Sequence, residues 1–339
     1  MSEPLRVGLI GAGWVTQHHL KGWRAQGDAA RVVAIADPSP ERAAERAAAF
    51  AIPAVFTSAQ AMLAAGGIDA VDIAAPRAVH ADLARLAADH GLPILCQKPL
   101  APTLAEAERL VADIGGRVRL MVHENWRFRA YYRQAAEWIR SGTIGKVKAA
   151  CLTLVTSGTV PDAGGHLQAL ERQPFMRTEA RMLVAEVLIH HLDTLRMLLG
   201  PLKVEAAALS RTCPDMRGED GAVIHLRTAD GAGVAVFASF AAHGAPARQM
   251  DRLVVLGDAG AIRLDGVDLS LSGRRDERLA YDPDATYLGS YAATIAHFVD
   301  GLRTGAPFET APEDNLETLR LVEDCYRISG FETASRDAA

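Results

Sequence analysis

The sequence predicts an α/β protein in two parts, an N-terminal doubly wound parallel sheet and a C-terminal α/β domain built on a large, mostly antiparallel open sheet. Three observations carry that expectation. From Leu5 to about Val122 short apolar runs alternate with longer helix-period stretches, the pattern of parallel strands joined by crossover helices. A glycine-rich turn, Gly8-Leu9-Ile10-Gly11-Ala12-Gly13-Trp14, separates the first run from the first helical stretch. Beyond residue 123 the pattern shifts to a polar and aromatic stretch, His123 to Tyr132, and then to short apolar segments divided by turn signals. The expected domains are therefore residues 1–122 and 123–332, with the C-terminal helix able to pack back on the first domain.

In the first domain the strand candidates are Leu5 to Ile10, Arg31 to Ala36, Ala70 to Ala74, Pro93 to Cys96 and Val118 to Val122. Helices are expected between them over Val15 to Gln26, Pro40 to Phe50, Ala59 to Ala65, Val79 to His90 and Leu104 to Ile114. Ser39 before Pro40 and the Thr103-to-Glu106 spacing are helix start signals. In the second domain Lys148 to Thr156, Lys203 to Ser210, Gly221 to Arg227, Gly233 to Ala241, Arg252 to Gly257 and Ala261 to Leu264 read as strands. Ala229-Asp230-Gly231 and Gly257-Asp258-Ala259-Gly260 supply turns between them. Met182 to Leu199, Thr286 to Thr304 and Pro312 to Ser329 read as helices, and the tail from Thr333 as disordered.

Composition narrows the function. The chain has 339 residues, 49% of them hydrophobic and 23% charged, with a net charge of -5, so no electrostatic attraction to nucleic acid or to an anionic membrane is expected. No apolar run approaches the ~20 residues that a membrane span requires. Cys96, Cys151, Cys213 and Cys325 are widely separated and form no Cys-x-x-Cys pair, and they read as reduced thiols of a cytoplasmic protein. A strand begins within the first few residues, which leaves no room for a signal peptide.

The glycine-rich turn follows a strand and opens a helix, so it can bring the backbone of Gly11, Ala12, Gly13, Trp14 and Val15 up to a pyrophosphate at the positive end of that helix. Thr16 stands where a third glycine or alanine is usual. Asp37, at the end of the second strand, can accept hydrogen bonds from both adenosine ribose hydroxyls and repel a 2'-phosphate, which favours NAD over NADP. These features indicate a Rossmann domain and a nicotinamide-dependent oxidoreductase. Gln97-Lys98-Pro99 ends a buried-type strand at the side of the sheet where ligands bind in such folds, and proline there removes a donor and shapes the turn. Lys98 is thus expected beside the cofactor.

Taken together, Gly8-x-x-Gly11-x-Gly13, Ala75-Pro76 followed by His80, Gln97-Lys98-Pro99, Asn125-Trp126-Arg127-Phe128, Glu186-x-x-x-His190-x-x-Asp193 and Glu313-Asp314-Asn315 resemble the Gfo/Idh/MocA-type oxidoreductases over essentially the whole chain. Cys96 to Pro102 and His123 to Arg127 are most similar to the subgroup of D-apiose dehydrogenase type. The resemblance implies a C-terminal sheet that makes subunit contacts, giving a homodimer or homotetramer, and a sugar, inositol or related polyol as substrate. It implies cofactor contacts from Ala75, Pro76, His80, Gln97 and Lys98. Two departures stand out: Gln97 replaces the usual glutamate, and Arg181-Met182 with Glu186 replaces the usual Gly-Gly and aspartate.

Glu186, His190 and Asp193 fall at i, i+4 and i+7, on one face of an otherwise apolar helix. A carboxylate one turn before the imidazole can fix its tautomer and raise its basicity, suiting His190 to accept a hydroxyl proton. Adjacent His190 and His191 point about 100° apart on a helix and do not converge on one ion, so no metal is expected. Trp126 can stack on a sugar, Arg127 can bond hydroxyls or the cofactor amide, and Asn125 accompanies them as a substrate residue. The expected activity is NAD-dependent oxidation of a hydroxyl of a monosaccharide or polyol, possibly an aldose such as apiose, with Lys98, His190 and Glu186 catalytic. A hydrolase or lyase using transient redox chemistry and a non-catalytic dinucleotide-sensing regulator are the alternatives.

Overall fold

The computed structural model describes residues 3–331; the tail from Thr333 lies outside them. The chain divides into two compact units, Met1–Arg129 with Asp284–Leu319, and Ala130–Pro283 with Arg320–Ala339. The first unit takes a C-terminal segment, Asp284–Leu319, and its N-terminal stretch runs through Arg129.

The first unit holds β1 (Leu5–Ile10), α1 (Thr16–Arg24), β2 (Ala30–Ala36), α2 (Pro40–Phe50), β3 (Ala54–Phe56), α3 (Ala59–Ala65), β4 (Ala70–Ile73), α4 (His80–Asp89), β5 (Ile94–Gln97), α5 (Leu104–Ile114) and β6 (Leu120–His123). The six strands are all parallel in the order β3-β2-β1-β4-β5-β6. The chain reverses direction across β1 and β4, which is the switch point where an open α/β sheet binds its ligand beyond the strand ends. Strand β3 was not expected from sequence, since a three-residue strand carries too little alternation to register.

The start signals act as their chemistry requires. Ser39 caps α2 by accepting the Arg42 N–H at 3.3 Å. Thr103 and Glu106 form a reciprocal capping box on α5, each accepting the other's backbone N–H at 3.2 Å. One core of this unit joins Val7, Trp23, Leu95, Met121 and Phe128 to Ile295, Phe298, Val299 and Phe308. Burial of those last four apolar side chains is what ties the C-terminal segment to the parallel sheet.

The second unit begins with α6 (Ala130–Arg140), absent from the sequence reading, and β7 (Val147–Val155). There follow α7 (Gln168–Arg172), a π-helical turn over Leu183–Leu188, α8 (Ile189–Leu199), β8 (Leu202–Ser210), β9 (Gly221–Thr228), β10 (Gly233–Ser239), β11 (Asp251–Gly257), β12 (Gly260–Asp265), β13 (Asp268–Gly273) and β14 (Glu277–Ala280). The eight strands run in the order β14-β13-β12-β11-β7-β10-β9-β8, antiparallel except for the β7–β10 pair. Burial alternates along β9 and β10, as in a sheet with one covered face. Val223, Phe237 and Leu256 stay exposed on the other face, at 56%, 46% and 42% of their accessible surface. Two helices follow, α9 (Pro283–Thr304) and α10 (Pro312–Ser329). Among the described residues no helix is long and apolar enough to cross a membrane.

Candidate active site

The turn after β1 is shaped for a dinucleotide. Gly11 has φ +110°, and a Cβ there would lie 2.4 Å from the Ala74 carbonyl oxygen, so only glycine lets this turn pass so close to the end of β4. A Cβ on Gly13 would meet nothing within 4 Å; the backbone is open on the side a pyrophosphate would approach. Thr16, at the position of the third glycine, is fully buried and donates its hydroxyl to the Gly13 carbonyl at 2.6 Å. It closes the turn from within, which accounts for its tolerance there. Val15 stands at the entry to α1, and Trp14 is exposed, with its ring edge-on to His18 at 4.7 Å.

Asp37 follows β2 and is 7% exposed. Its Oδ2 accepts the Ala12 N–H at 2.8 Å, while Oδ1 accepts the Ser39 N–H at 2.8 Å and Arg42 Nη2 at 3.2 Å. A carboxylate offers about four lone-pair positions; with three taken, one remains on Oδ2 for a ribose hydroxyl, and displacement of the mostly exposed Arg42 would open a second on Oδ1. The open glycine and this carboxylate, on neighbouring strand ends, fit an adenine dinucleotide.

The next two strand ends are tied together by His80. Its ring is 1% exposed and spans the Pro99 carbonyl at Nδ1 and the Ala75 carbonyl at Nε2, both at 2.8 Å. The ring holds the backbone of Ala75, next to exposed Pro76, against the loop after β5. Gln97 is buried at the end of β5, and its Oε1 accepts the Lys98 N–H at 2.7 Å. Lys98 is half-buried and precedes a cis peptide bond to Pro99.

Two residues expected to meet substrate have protein partners in the C-terminal segment. Arg127, 4% exposed, donates Nη2 to Asp314 at 2.7 Å and Nη1 to the Glu309 carbonyl at 2.9 Å. Asn125, 2% exposed, donates Nδ2 to Ser290 at 2.8 Å. Both anchor the C-terminal segment to the end of β6, because a buried guanidinium or amide must spend its donors where acceptors are fixed. Trp126 between them keeps a half-exposed ring, with the Arg129 guanidinium 3.4 Å from its centroid.

In the second unit Glu186 lies in the π-helical turn and His190 in the first turn of α8. The uniform α-helical face expected for Glu186, His190 and Asp193 is thus broken between the first and second of them, since a π turn widens the helix locally. Glu186 is half-buried, His190 is 7% exposed, and Asp193 is buried near Arg196. His191 turns away, its Nε2 2.9 Å from Asp251, whose other oxygen accepts the Tyr132 hydroxyl at 2.9 Å. Among the described residues no group of three or more His, Cys, Asp and Glu side chains could hold a metal ion.

Glu219 escaped sequence reasoning and organises the entry to this helix. Its buried carboxylate accepts the Met182 N–H at 3.2 Å, the Val184 N–H at 2.9 Å and the Tyr326 hydroxyl at 2.5 Å. The first N–H groups of a helix have no internal partners, and a carboxylate there also complements the helix dipole. Burial pushes the Glu219 carboxyl above the usual range, opposed by the three donors. Arg181, one of the two departures noted in the sequence, forms a forked pair with Glu323 at 2.6 and 3.1 Å. No local pattern marks either residue, because their partners are distant in sequence.

Comparison with known proteins gives the family. Residues 5–121 match the model of the oxidoreductase family with an NAD-binding Rossmann fold, and residues 132–263 match the GFO/IDH/MocA C-terminal domain. The chain is 34% identical to a D-apiose dehydrogenase of Paraburkholderia graminis, covering 94% of this chain and 86% of that one. It is 30% identical to a D-apiose dehydrogenase of Rhizobium rhizogenes, covering 95% and 94%. Among solved structures, an oxidoreductase from Agrobacterium radiobacter in complex with NAD+, L-tartaric acid and magnesium superposes with a TM-score of 0.88 at 29% identity, covering 96% of each chain.

Proposed function

The chain belongs to the Gfo/Idh/MocA oxidoreductase family, and on that premise we propose that it is an NAD-dependent dehydrogenase oxidising a hydroxyl of a monosaccharide or polyol, with an aldose of the apiose type as the first substrate to try. The observation that carries the reading is the pairing of an open glycine turn and the Asp37 carboxylate that braces it with a lysine at the end of β5. NAD, when bound, supplies the hydride acceptor, and the protein supplies position and charge.

His190 takes the hydroxyl proton, and Glu186 orients it. Lys98 stabilises the developing alkoxide and helps relay the proton. Trp126 offers a half-exposed ring on which the C–H face of a sugar can stack. The relatives' names support the substrate class, since two dehydrogenases that cover nearly the whole chain are named for D-apiose. A panel of aldoses and polyols monitored for NADH absorbance tests the reading: turnover on a branched or short aldose supports it, and no NADH with any member overturns it.

We also propose that the protein acts in the cytoplasm as a homodimer or homotetramer. Buried thiols at Cys96, Cys213 and Cys325 with none paired support a reducing compartment. Val223 and Phe237, directly paired across β9 and β10, leave an apolar patch that a second copy would cover. Light scattering that finds a monomer at micromolar concentration would exclude that assembly.

A further inference from the structure

The departure from glutamate at Gln97 has a physical partner in His19. The backbone N–H of Lys98 can only donate, so the Gln97 atom 2.7 Å from it must be the carbonyl oxygen. That settles which way the side-chain amide points. Its NH2 group then faces His19 Nε2 at 3.1 Å, and since the amide nitrogen only donates, Nε2 must accept. An accepting ring nitrogen carries no proton.

The other ring nitrogen is settled by Asp72. His19 Nδ1 lies 2.9 and 3.1 Å from the two Asp72 oxygens, and Asp72 also accepts the Trp23 indole N–H at 2.7 Å. Asp72, on β4, is entirely buried, as is His19 on α1. Other titratable groups surround the ring. His123 on β6 stacks on the His19 ring at 4.2 Å, Tyr291 on α9 lies edge-on at 5.6 Å, and His18 precedes it on its own helix. Cys96, beside Gln97, is a buried thiol whose ionisation burial opposes.

We propose that His19, held as its neutral Nδ1–H tautomer by Asp72, is a positioning residue for Lys98, acting through the Gln97 amide. This rests on the reading of Lys98 as a catalytic group. The links from Asp72 through His19 to the Gln97 amide are buried and the last, to the Lys98 N–H, is part-buried, so a change at His19 passes to the backbone of Lys98 rather than dissipating in solvent. A glutamate at position 97 would present a second carboxylate to His19, and the ring would then be held as an imidazolium. Glutamine at this position is thus matched to a neutral histidine.

The tautomer is read first, without any variant, by long-range 1H–15N correlation spectra of the histidine rings, with His19→Phe identifying the signal. A His19 ring protonated at Nδ1 alone at neutral pH is expected; an imidazolium or an Nε2–H tautomer overturns the proposal. His19→Phe should lower kcat by about tenfold to a hundredfold, the cost of a small misplacement of a catalytic group, while NAD binding measured by fluorescence stays near that of the unmodified protein. In a Lys98→Met background the same change should cost nothing further; equal losses in both backgrounds overturn the link to Lys98. Gln97→Glu should give the pH profile of kcat/KM a new limb that disappears in the His19→Phe/Gln97→Glu double variant, and an unchanged profile would again count against the proposal. The Gln97→Glu single variant remains informative should His19→Phe fail to fold, since a profile without the new limb still overturns the proposal. Full turnover of Lys98→Met would instead remove the catalytic reading of Lys98 and the purpose given to the relay, and the NMR tautomer tells that failure apart from an error in the relay itself.

Discussion

Asp37 accepts the backbone N–H of Ala12 at 2.8 Å through Oδ2, so the residue expected to select the cofactor also braces the turn that binds it. On the proposed reading, selection and binding are coupled through a single carboxylate. Arg42, at 3.2 Å from the other oxygen, is mostly exposed and is held near the carboxylate rather than being available to a phosphate.

NAD should be preferred over NADP by at least tenfold in kcat/KM, since a charge clash of about 1.4 kcal/mol already gives that ratio. Asp37→Ser should narrow the preference and free Arg42 to meet a 2'-phosphate. It should also weaken NAD binding, because the Ala12 brace is lost. Steady-state kinetics with both cofactors decide the matter; equal use by the unmodified protein would contradict it.

Lys98→Met should leave NAD affinity close to its original value and lower kcat by a factor on the order of 10² to 10⁴. Fluorescence titration and initial rates separate these two effects. A variant with nearly full turnover would make Lys98 a structural residue.

His190→Asn should remove most turnover, and Glu186→Gln should preserve the fold while lowering the pKa of the basic group seen in kcat/KM. The double variant should be little worse than His190→Asn alone, because both residues serve one proton transfer. Losses that multiply would show that the π turn carries Glu186 to a different contact.

His18 offers a test of stability against pH. Burial first, then Lys21 and other neighbouring positive charge, lowers its pKa from 6.5 to about 4. The protonated ring is disfavoured in the folded state, so its stabilising contribution is present above 6.5 and is lost as pH falls towards 4. Thermal melts over that window should decline less steeply for His18→Phe than for the unmodified protein; parallel curves would rule out His18 as the cause.

Tyr326→Phe removes the hydroxyl that Glu219 accepts at 2.5 Å, leaving a buried carboxylate with one donor fewer. A loss of about 1–3 kcal/mol in urea unfolding is expected. No change in the unfolding midpoint would mean that the two backbone N–H groups at Met182 and Val184 suffice.

Features written within a few residues of one another were legible before any coordinates. The alternation of strand and helix, the Gly11–Gly13 turn, the Thr103–Glu106 capping box and Asp37 after β2 all depend on local spacing, which the chain carries with it. The π turn at Leu183–Leu188 was not legible, because a segment apolar on nearly every side gives no period by which a widened turn would register. Short strands such as β3 and β14 escaped for a related reason, having too few residues to alternate.

The sequence by itself therefore determined a parallel nucleotide-binding sheet, its cofactor and the lysine and histidine to test. Tertiary structure decided what those residues lean on. Asp72 reaches His19 from 53 positions away, Gln97 from 78, Asp251 reaches His191 from 60 and Tyr326 reaches Glu219 from 107. It likewise gave Arg127 and Asn125 their partners Asp314 and Ser290, 187 and 165 positions away. Such pairings form because burial removes water as a partner and each polar group must find another in the fold; which group it finds depends on chain packing, and local sequence holds no record of it.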